Sequence, residues 1–409
     1  MPKNDVRSGP LAGVRVLELA SMYAGPTAGR LLRDFGAEII KVEDPSTGDY
    51  ARQWVPQKNG VALGFTRLNS GKRSVGIDLR SHEGQEIARN LAQESDVVIE
   101  SFRPGRLEAW GLGFEELRRT NPGLIMARVS GFGQTGPYSS RPGFGTIAEA
   151  MSGFAYINGW PDTPPTAPPF GFADSIAGFA AAFGVTMSLH RRATTGRGEL
   201  VDVALYEPLL FILGDSILRW TTLQEVTERL GNSTGAASPR GIYKAADGRW
   251  VAIAASSQTI ALLLFDAMGR NELGSDDRYA TNAARLANDA SLQAIVRGWI
   301  GGRSRDEVLT ILDNHEVVAA PVNNAREVSS DPHFIERTLV AFHGDRLGEA
   351  VMPGPILRSG DYTGPSYGEA PELGVDTEVV LREVVGLPAE RIDALVESGV
   401  ISPSAASAG

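Results

Sequence analysis

One carboxylate stands out for its setting. Asp174 lies in the stretch Pro168-Pro-Phe-Gly-Phe-Ala-Asp-Ser-Ile-Ala-Gly-Phe-Ala-Ala-Ala-Phe183, where a stiff Pro- and Gly-rich approach gives way to a long run of small and apolar residues. That run predicts a helix to about Arg192, with Asp174 as its N-cap. Capping alone would explain an Asp here. Two features favour a chemical role as well. Few other polar side chains lie near it in sequence, and Gly171, Ala173, Ala177 and Gly178 let another molecule approach its oxygens closely. Competing chemistries lose ground on residue counts. The absence of cysteine excludes disulfides, thiolate metal sites and a cysteine nucleophile together. The five histidines, His82, His190, His315, His333 and His343, include no pair at ligand spacing, so no metal site is expected.

The elements that must position Asp174 can be read from periodicity. Val14–Leu19, Gly36–Glu43, Ser74–Asp78, Asp96–Glu100 and Leu124–Val129 read as buried strands, with helices expected at 27–35 and 82–94 between them. This alternation predicts an α/β fold built on a doubly wound parallel sheet, Rossmann-like, with ligands bound beyond the carboxyl ends of the strands. The loops at 20–26, 78–80, 101–106 and 130–137 then share one binding face. The first loop lacks the G-x-G-x-x-G fingerprint, having glycines at Gly25 and Gly29, which disfavours a nicotinamide dehydrogenase. Residues 138–173 show little periodicity and are expected to form an ordered excursion leading to Asp174. Val201–Leu205 reads as a strand or a helix start, and 206–229 as helical.

A Gly/Ser-rich junction, Gly231 to Pro239, opens a new unit. A hairpin over 241–254 turning at Asp247-Gly248, helices near 258–269, 280–300 and 304–315, and a strand at Val317–Asn323 predict a second, smaller α/β domain. The expected division is therefore a large domain over 1–229, a small domain over 230–325, and a return segment over 326–409 that completes the large domain.

The 409 residues are 42% hydrophobic and 22% charged, ordinary for a globular protein, and the formal net charge is −10. A nucleic-acid partner is disfavoured by that acidity. Residues 1–10 lack an apolar core, so no signal peptide is expected. No run approaches 18 consecutive apolar residues, so no membrane span is expected either, and the reading is cytoplasmic. Residues 403–409 read as a disordered tail.

At this level of detail the chain resembles the class III CoA-transferases (the CaiB/BaiF type). The resemblance rests on Leu11–Leu19, Ala24-Gly-Pro26, Gly36–Glu43, Gly71-Lys-Arg-Ser-Val75, Asp96-Val-Val-Ile-Glu-Ser-Phe-Arg-Pro-Gly105, Asn121-Pro122 and Gly131-Phe-Gly-Gln-Thr-Gly-Pro137. Thr195-Gly-Arg-Gly198, Pro321-Val-Asn323, Asp331-Pro332 and Gly399-Val-Ile401 continue it in order. The resemblance implies an interlocked homodimer and places the catalytic aspartate at Asp174. It implies that CoA or acyl-CoA is bound as substrate, with no tightly held cofactor, by Ser21, Tyr23 and Ala24, by Ile77, Asp78, Leu79 and Arg80, and by Ser101, Phe102 and Arg103. Two basic positions of the family pattern are occupied here by Asp44 and Ala109, which leaves Arg73, Arg103 or Arg106 to hold the CoA phosphates.

The implied reaction moves CoA from an acyl-CoA to a small carboxylic acid, with succinyl-CoA as donor and a small dicarboxylate as acceptor. It passes through an aspartyl anhydride and an aspartyl-CoA thioester. It needs a desolvated carboxylate and N–H donors for an oxyanion, which the helix N-terminus at Asp174 is expected to supply. The loop from Gly231 to Ser238 either covers the site during reaction or is a plain interdomain linker. An α-methylacyl-CoA racemase of the same superfamily is the alternative, but it needs a proton-transfer pair. The stretch in which the resemblance places the racemase histidine, Arg141 to Ser152, contains none, and Glu149 is its only carboxylate. A non-catalytic CoA-binding protein remains a third reading, which an intact Asp174 disfavours.

Overall fold

The computed structural model describes residues 9–403. The expectations of no signal peptide over 1–10 and of a disordered tail over 403–409 fall almost wholly on residues 1–8 and 404–409, outside the described residues. The chain packs as two compact units. One holds the chain up to Phe154, Ala167–Asp215, and the chain from Pro332 onward; the other holds Ala155–Thr166 and Ser216–Asp331.

The first unit is built on six strands: β1 (Arg15–Leu19), β2 (Glu38–Glu43), β3 (Arg73–Gly76), β4 (Val97–Glu100), β5 (Ile125–Ser130) and β6 (Leu200–Ala204). They lie in the order β3-β2-β1-β4-β5-β6, and every neighbouring pair is parallel. This is the doubly wound order, with the direction of winding reversing between β1 and β4. The inner strands are short, largely apolar runs because both sheet faces are covered there, whereas β6, at the edge, is interrupted by Asp202. Leu17, Ile40, Val75, Val98 and Met126 point into one core, and Val16, Ile39, Val97, Ile125 and Ala127 into the other.

Helices α1 (Ala24–Arg33), α2 (Leu63–Asn69) and α3 (His82–Gln93) follow β1, precede β3 and follow β3 respectively. The 138–173 excursion is more regular than the sequence suggested, holding α4 (Gly145–Met151) and α5 (Phe154–Ile157). These helices run for only seven and four residues, too short for an apolar period to announce them. The long helix α6 (Phe172–Thr195) buries Ala173, Ala177, Ala181 and Val185 against the sheet. It packs tightly on α1, because a Cβ placed at Gly178 would lie 2.6 Å from Thr27. By length and composition alone α6 could cross a bilayer, but its small-residue face is packed in the core of the first unit. The expected helix over 206–229 is two short ones, α7 (Glu207–Ile212) and α8 (Ser216–Leu223). From the return segment, Val380, Leu381, Ile392 and Leu395 complete the core beneath α3. Ile401 bridges to Ile77 just beyond β3.

The second unit has three antiparallel strands, β7 (Arg240–Lys244), β8 (Trp250–Ala254) and β9 (Ala319–Pro321), with β8 central. The hairpin turns at Gly248, whose φ of 82° suits a glycine. Helices α9 (Gln258–Ala267), α11 (Asp289–Gly301) and α12 (Arg305–Asn314) share a core with this sheet through Leu264, Leu292, Val296 and Leu312, and α10 (Asn282–Ala287) precedes α11 and buries Arg285. The expected 280–300 helix breaks at Asn288, which serves as N-cap of α11.

Candidate active site

Two cavities open at the carboxyl ends of the parallel strands, and Ser21 lines both. The loops after β1 and β4 meet at the point where strand order reverses, and the Ser21 N–H donates to Ser101 Oγ at 3.2 Å there. A cavity of about 410 Å³ in the second unit is lined by Gly231–Thr234 and the open face of β7–β9.

Asp174 lines the first of the two, a cavity of about 470 Å³ shared with Ser21, Tyr23, Ala24, Ser101 and Glu149. It is not the helix cap. Gly171 takes that position, and Phe172 and Ala173 enter the helix ahead of Asp174, which falls in the first turn. The Ser175 N–H accordingly donates to the Gly171 carbonyl at 3.0 Å. The carboxylate is thereby left unspent on capping and rests over Gly145, where a Cβ would sit 2.1 Å from Asp174 Oδ2. Glycine at 145 is therefore a requirement of close approach. Burial raises the Asp174 carboxyl to about 6, and the neighbouring charge of Glu149 adds to the rise.

Glu149, buried on α4, accepts from the Ala173 N–H at 3.2 Å. The Phe172 N–H goes to the Phe170 carbonyl at 2.7 Å. The expected N–H donors of the helix N-terminus are thus narrowed, since Phe172 and Ala173 already spend theirs and the Asp174 N–H faces its own carboxylate. The backbone from Gly143 to Gly145 lines the same cavity and is a further nearby source. Gly131 and Gly143 make the wall thin, because a Cβ on Gly131 would lie 2.7 Å from Gly143 Cα.

The second cavity, about 360 Å³, collects Ile77, Asp78, Leu79, Arg80 and Phe102 with Leu19, Glu43, Asp44 and Trp110. Arg80 pairs with Asp78 at 2.7 Å and Asp44 at 2.9 Å. Arg106 stands over the Trp110 ring, 5.4 Å from its centroid, at this cavity's edge. Arg103 is exposed in the loop after β4 and lines neither cavity. Arg73 is placed elsewhere. It begins β3, at the amino end of the sheet, and its guanidinium pairs with Glu38 at 2.9 Å and Glu383 at 3.5 Å. A residue at that end cannot share a ligand with loops at the carboxyl ends, so the expectation for Arg73 is withdrawn.

Several positioning residues escaped sequence reasoning. Lys41 lies fully buried in β2, bonded to Glu18 at 3.1 Å, Asp49 at 2.8 Å and the Ala20 carbonyl at 2.9 Å. Asp49 accepts from the Met22 N–H with both oxygens, at 3.0 and 3.1 Å. This holds Met22 at φ 67°, a conformation costly for a side-chain-bearing residue. Lys72 closes the network on Glu18 at 2.7 Å. The loop after β4 has its own clamp. Glu100 accepts from the Phe102 N–H at 2.7 Å and from Arg128 at 2.6 Å. A lysine inside the apolar run of β2 was the available signal for this network.

The chain was compared with known proteins. The sequence profile described as CoA-transferase family III matches residues 11–377. The chain is 42% identical to a succinyl-CoA–D-citramalate CoA-transferase of Chloroflexus aurantiacus, over 96% of this chain and 98% of that protein. It is 32% identical to a mouse (Mus musculus) succinyl-CoA:glutarate CoA-transferase, over 98% of this chain and 92% of that one. Among solved structures, a CaiB/BaiF family protein from Brucella suis superposes with a TM-score of 0.81 at 34% identity, covering 92% of this chain and 99% of that chain.

Proposed function

The chain belongs to CoA-transferase family III, and from that premise we propose that it moves CoA from succinyl-CoA to a second small dicarboxylate, with Asp174 as the covalent carrier. The substrate class is supported by relatives named for citramalate and glutarate. The carrier role rests on one observation: a carboxylate raised to about 6 sits over a glycine floor in a cavity at the sheet's switch point.

CoA lies along the Ile77–Arg80 and Phe102 cavity, with Arg80, Arg103 and Arg106 near its phosphates, and its thiol end passes Ser21 and Ser101 toward Asp174. An Asp174 oxygen attacks the thioester carbonyl, forming a mixed anhydride and releasing CoA thiolate. The thiolate attacks the Asp174 carbonyl carbon, which frees the first acid and leaves an aspartyl-CoA thioester. The acceptor's carboxylate attacks that thioester, giving a second anhydride and thiolate. Attack of the thiolate on the acceptor's carbonyl yields the new acyl-CoA and restores the Asp174 carboxylate. Glycines at 143 and 145 let the developing oxyanion face backbone rather than side chains. No proton need be held or moved in this cycle, so a carboxyl raised to about 6, ionised at neutral pH yet more nucleophilic than an ordinary aspartate, suits every step. The enzyme acts as a cytoplasmic homodimer on this reading.

The test is mass spectrometry of the protein after incubation with succinyl-CoA and no acceptor. The peptide carrying Asp174 is expected to gain the mass of CoA less one water. In Asp174→Ala, transfer should fall at least about 1,000-fold, as for loss of a covalent nucleophile, with the thermal midpoint not lowered. Turnover near that of the wild type in this variant would overturn the mechanism.

A further inference from the structure

The Asp174 cavity poses an electrostatic problem for the substrate class proposed above. Its lining carries two carboxylates, Asp174 and Glu149, and among the described residues no Lys, Arg or His. A dicarboxylate entering with one carboxyl bound for Asp174 brings a second negative charge into a half-dry space already negative, and like charges there repel strongly. A cation must stand within reach.

Most cations at this end of the sheet are already committed. Arg52 is held by Glu43, Arg80 by Asp78 and Asp44, Arg128 by Glu100 and Glu108, and Lys41 by Glu18 and Asp49. Arg67, on α2, is different. It is exposed, and among the described residues no carboxylate lies within ion-pairing distance of it. Its Nη2 donates instead to Tyr23 Oη at 2.7 Å, with the guanidinium 5.2 Å from the centre of the tyrosine ring. Tyr23 is a wall of the Asp174 cavity, and its hydroxyl also accepts from Ser175 Oγ at 3.4 Å. One tyrosine hydroxyl therefore separates Arg67 from the residue beside the nucleophile.

The backbone at this position is fixed, because the Arg67 carbonyl accepts from the buried Arg30. The side chain, by contrast, has spent one N–H and keeps the rest of its planar fork, which matches a carboxylate bidentately. We propose that Arg67, steadied by Tyr23, holds the distal carboxylate of the dicarboxyl substrate while the near carboxyl reacts at Asp174. This rests on the dicarboxylate reading and adds the residue that enforces it. Arg67 is then a specificity residue for both half-reactions, since donor and acceptor occupy the cavity in turn.

The experiment compares succinate with butyrate, an acid of the same length lacking the distal charge, as acceptors from propionyl-CoA, a donor that has no distal carboxylate for Arg67 to hold, for the wild type, Arg67→Gln and Arg67→Lys. The wild type is expected to favour succinate. Arg67→Gln should raise the succinate KM about 10- to 100-fold, the worth of a charge-assisted hydrogen-bonded pair, and leave the butyrate KM and kcat within about twofold. Arg67→Lys should recover part of the loss, because it restores the charge without the fork. Unaltered butyrate kinetics would show that Arg67→Gln is folded. If the wild type prefers succinate and Arg67→Gln keeps that preference, this inference falls and the dicarboxylate reading stands. If the wild type shows no preference for succinate, the dicarboxylate reading falls and this inference with it. A matching loss in Arg141→Gln, whose guanidinium lies 3.8 Å over Tyr138, with Arg67→Gln unaffected, would move the role to that residue and overturn the assignment.

Discussion

At the scale of single residues, the pairing of Asp174 with Glu149 decides the pH behaviour. The Asp174 carboxyl is raised to about 6 by burial first and by the Glu149 charge second. Only its ionised form attacks a thioester, so kcat/KM should fall on the acid side through about pH 6 with unit slope. In Glu149→Gln the like charge is gone while an amide oxygen can still accept from the Ala173 N–H, so the acid limb should move to lower pH. An unmoved limb in a pH–rate profile would sink the coupling. The same shift fixes a stability sign. A carboxyl whose folded value lies above its ordinary 3.8 favours folding most below pH 4, and that contribution is lost as pH rises through about 6. Asp174→Asn should therefore raise stability at pH 7.5 by up to about 3 kcal/mol, with the gain vanishing near pH 4. Equal denaturant midpoints for the two proteins at pH 7.5 would refute this.

At the scale of elements, the site depends on two loops whose shape is imposed from beneath. Glu18, Asp49, Lys41 and Lys72 are all buried and their charges cancel, which is the condition under which buried ions are tolerated. Removing one partner strands another. Asp49→Ala would leave Lys41 short of a carboxylate and free Met22 from the two bonds that hold its φ at 67°. We expect a loss of about 3 kcal/mol in denaturant unfolding together with a raised KM for acyl-CoA; unchanged values for both would show that the loop shapes itself.

The same elements show what a sequence can reveal. Strands covered on both faces are continuous apolar runs, and five of the six parallel strands of the first unit were read as such. Val201–Leu205 was left open between strand and helix start, because Asp202 interrupts its apolar run; Asp202 instead accepts from the Gln134 N–H at 2.9 Å. Asp174 was legible as an isolated carboxylate at a helix start. Its exact turn was not, because Gly171 and Asp174 are both acceptable caps and tertiary contacts with Glu149 chose between them. Arg73 was misplaced for a related reason: neighbouring motif residues at the two ends of one short strand lie on opposite edges of the sheet.

At the scale of the whole molecule, α6 is the element that one chain leaves unfinished. Its inner face of Ala173, Ala177, Ala181 and Val185 is buried. Its other side shows Phe179 at 41%, Phe183 at 66% and Met187 at 53% exposure, a stripe with helical four-residue spacing. A helix apolar on both faces belongs in an interior, and exposed apolar stripes of this kind mark surfaces that a partner covers. On the proposed homodimer reading, that partner is a second copy of the chain. Light scattering should then give about twice the 43.6 kDa of the chain, and the thermal midpoint should rise with protein concentration, because association stabilises only the folded form. Phe183→Lys places a charge in the middle of that stripe, so it should shift the protein toward monomer or aggregate and lower the midpoint by several degrees. The Asp174 cavity is formed within one unit of a single chain, so the same variant separates two ways in which a dimer can matter. Monomer that retains Asp174 labelling by succinyl-CoA would show that the second copy serves stability alone. Monomer that is folded but unlabelled would show that the second copy completes the site. A Phe183→Lys protein that stays dimeric with an unchanged midpoint would remove α6 from the interface altogether.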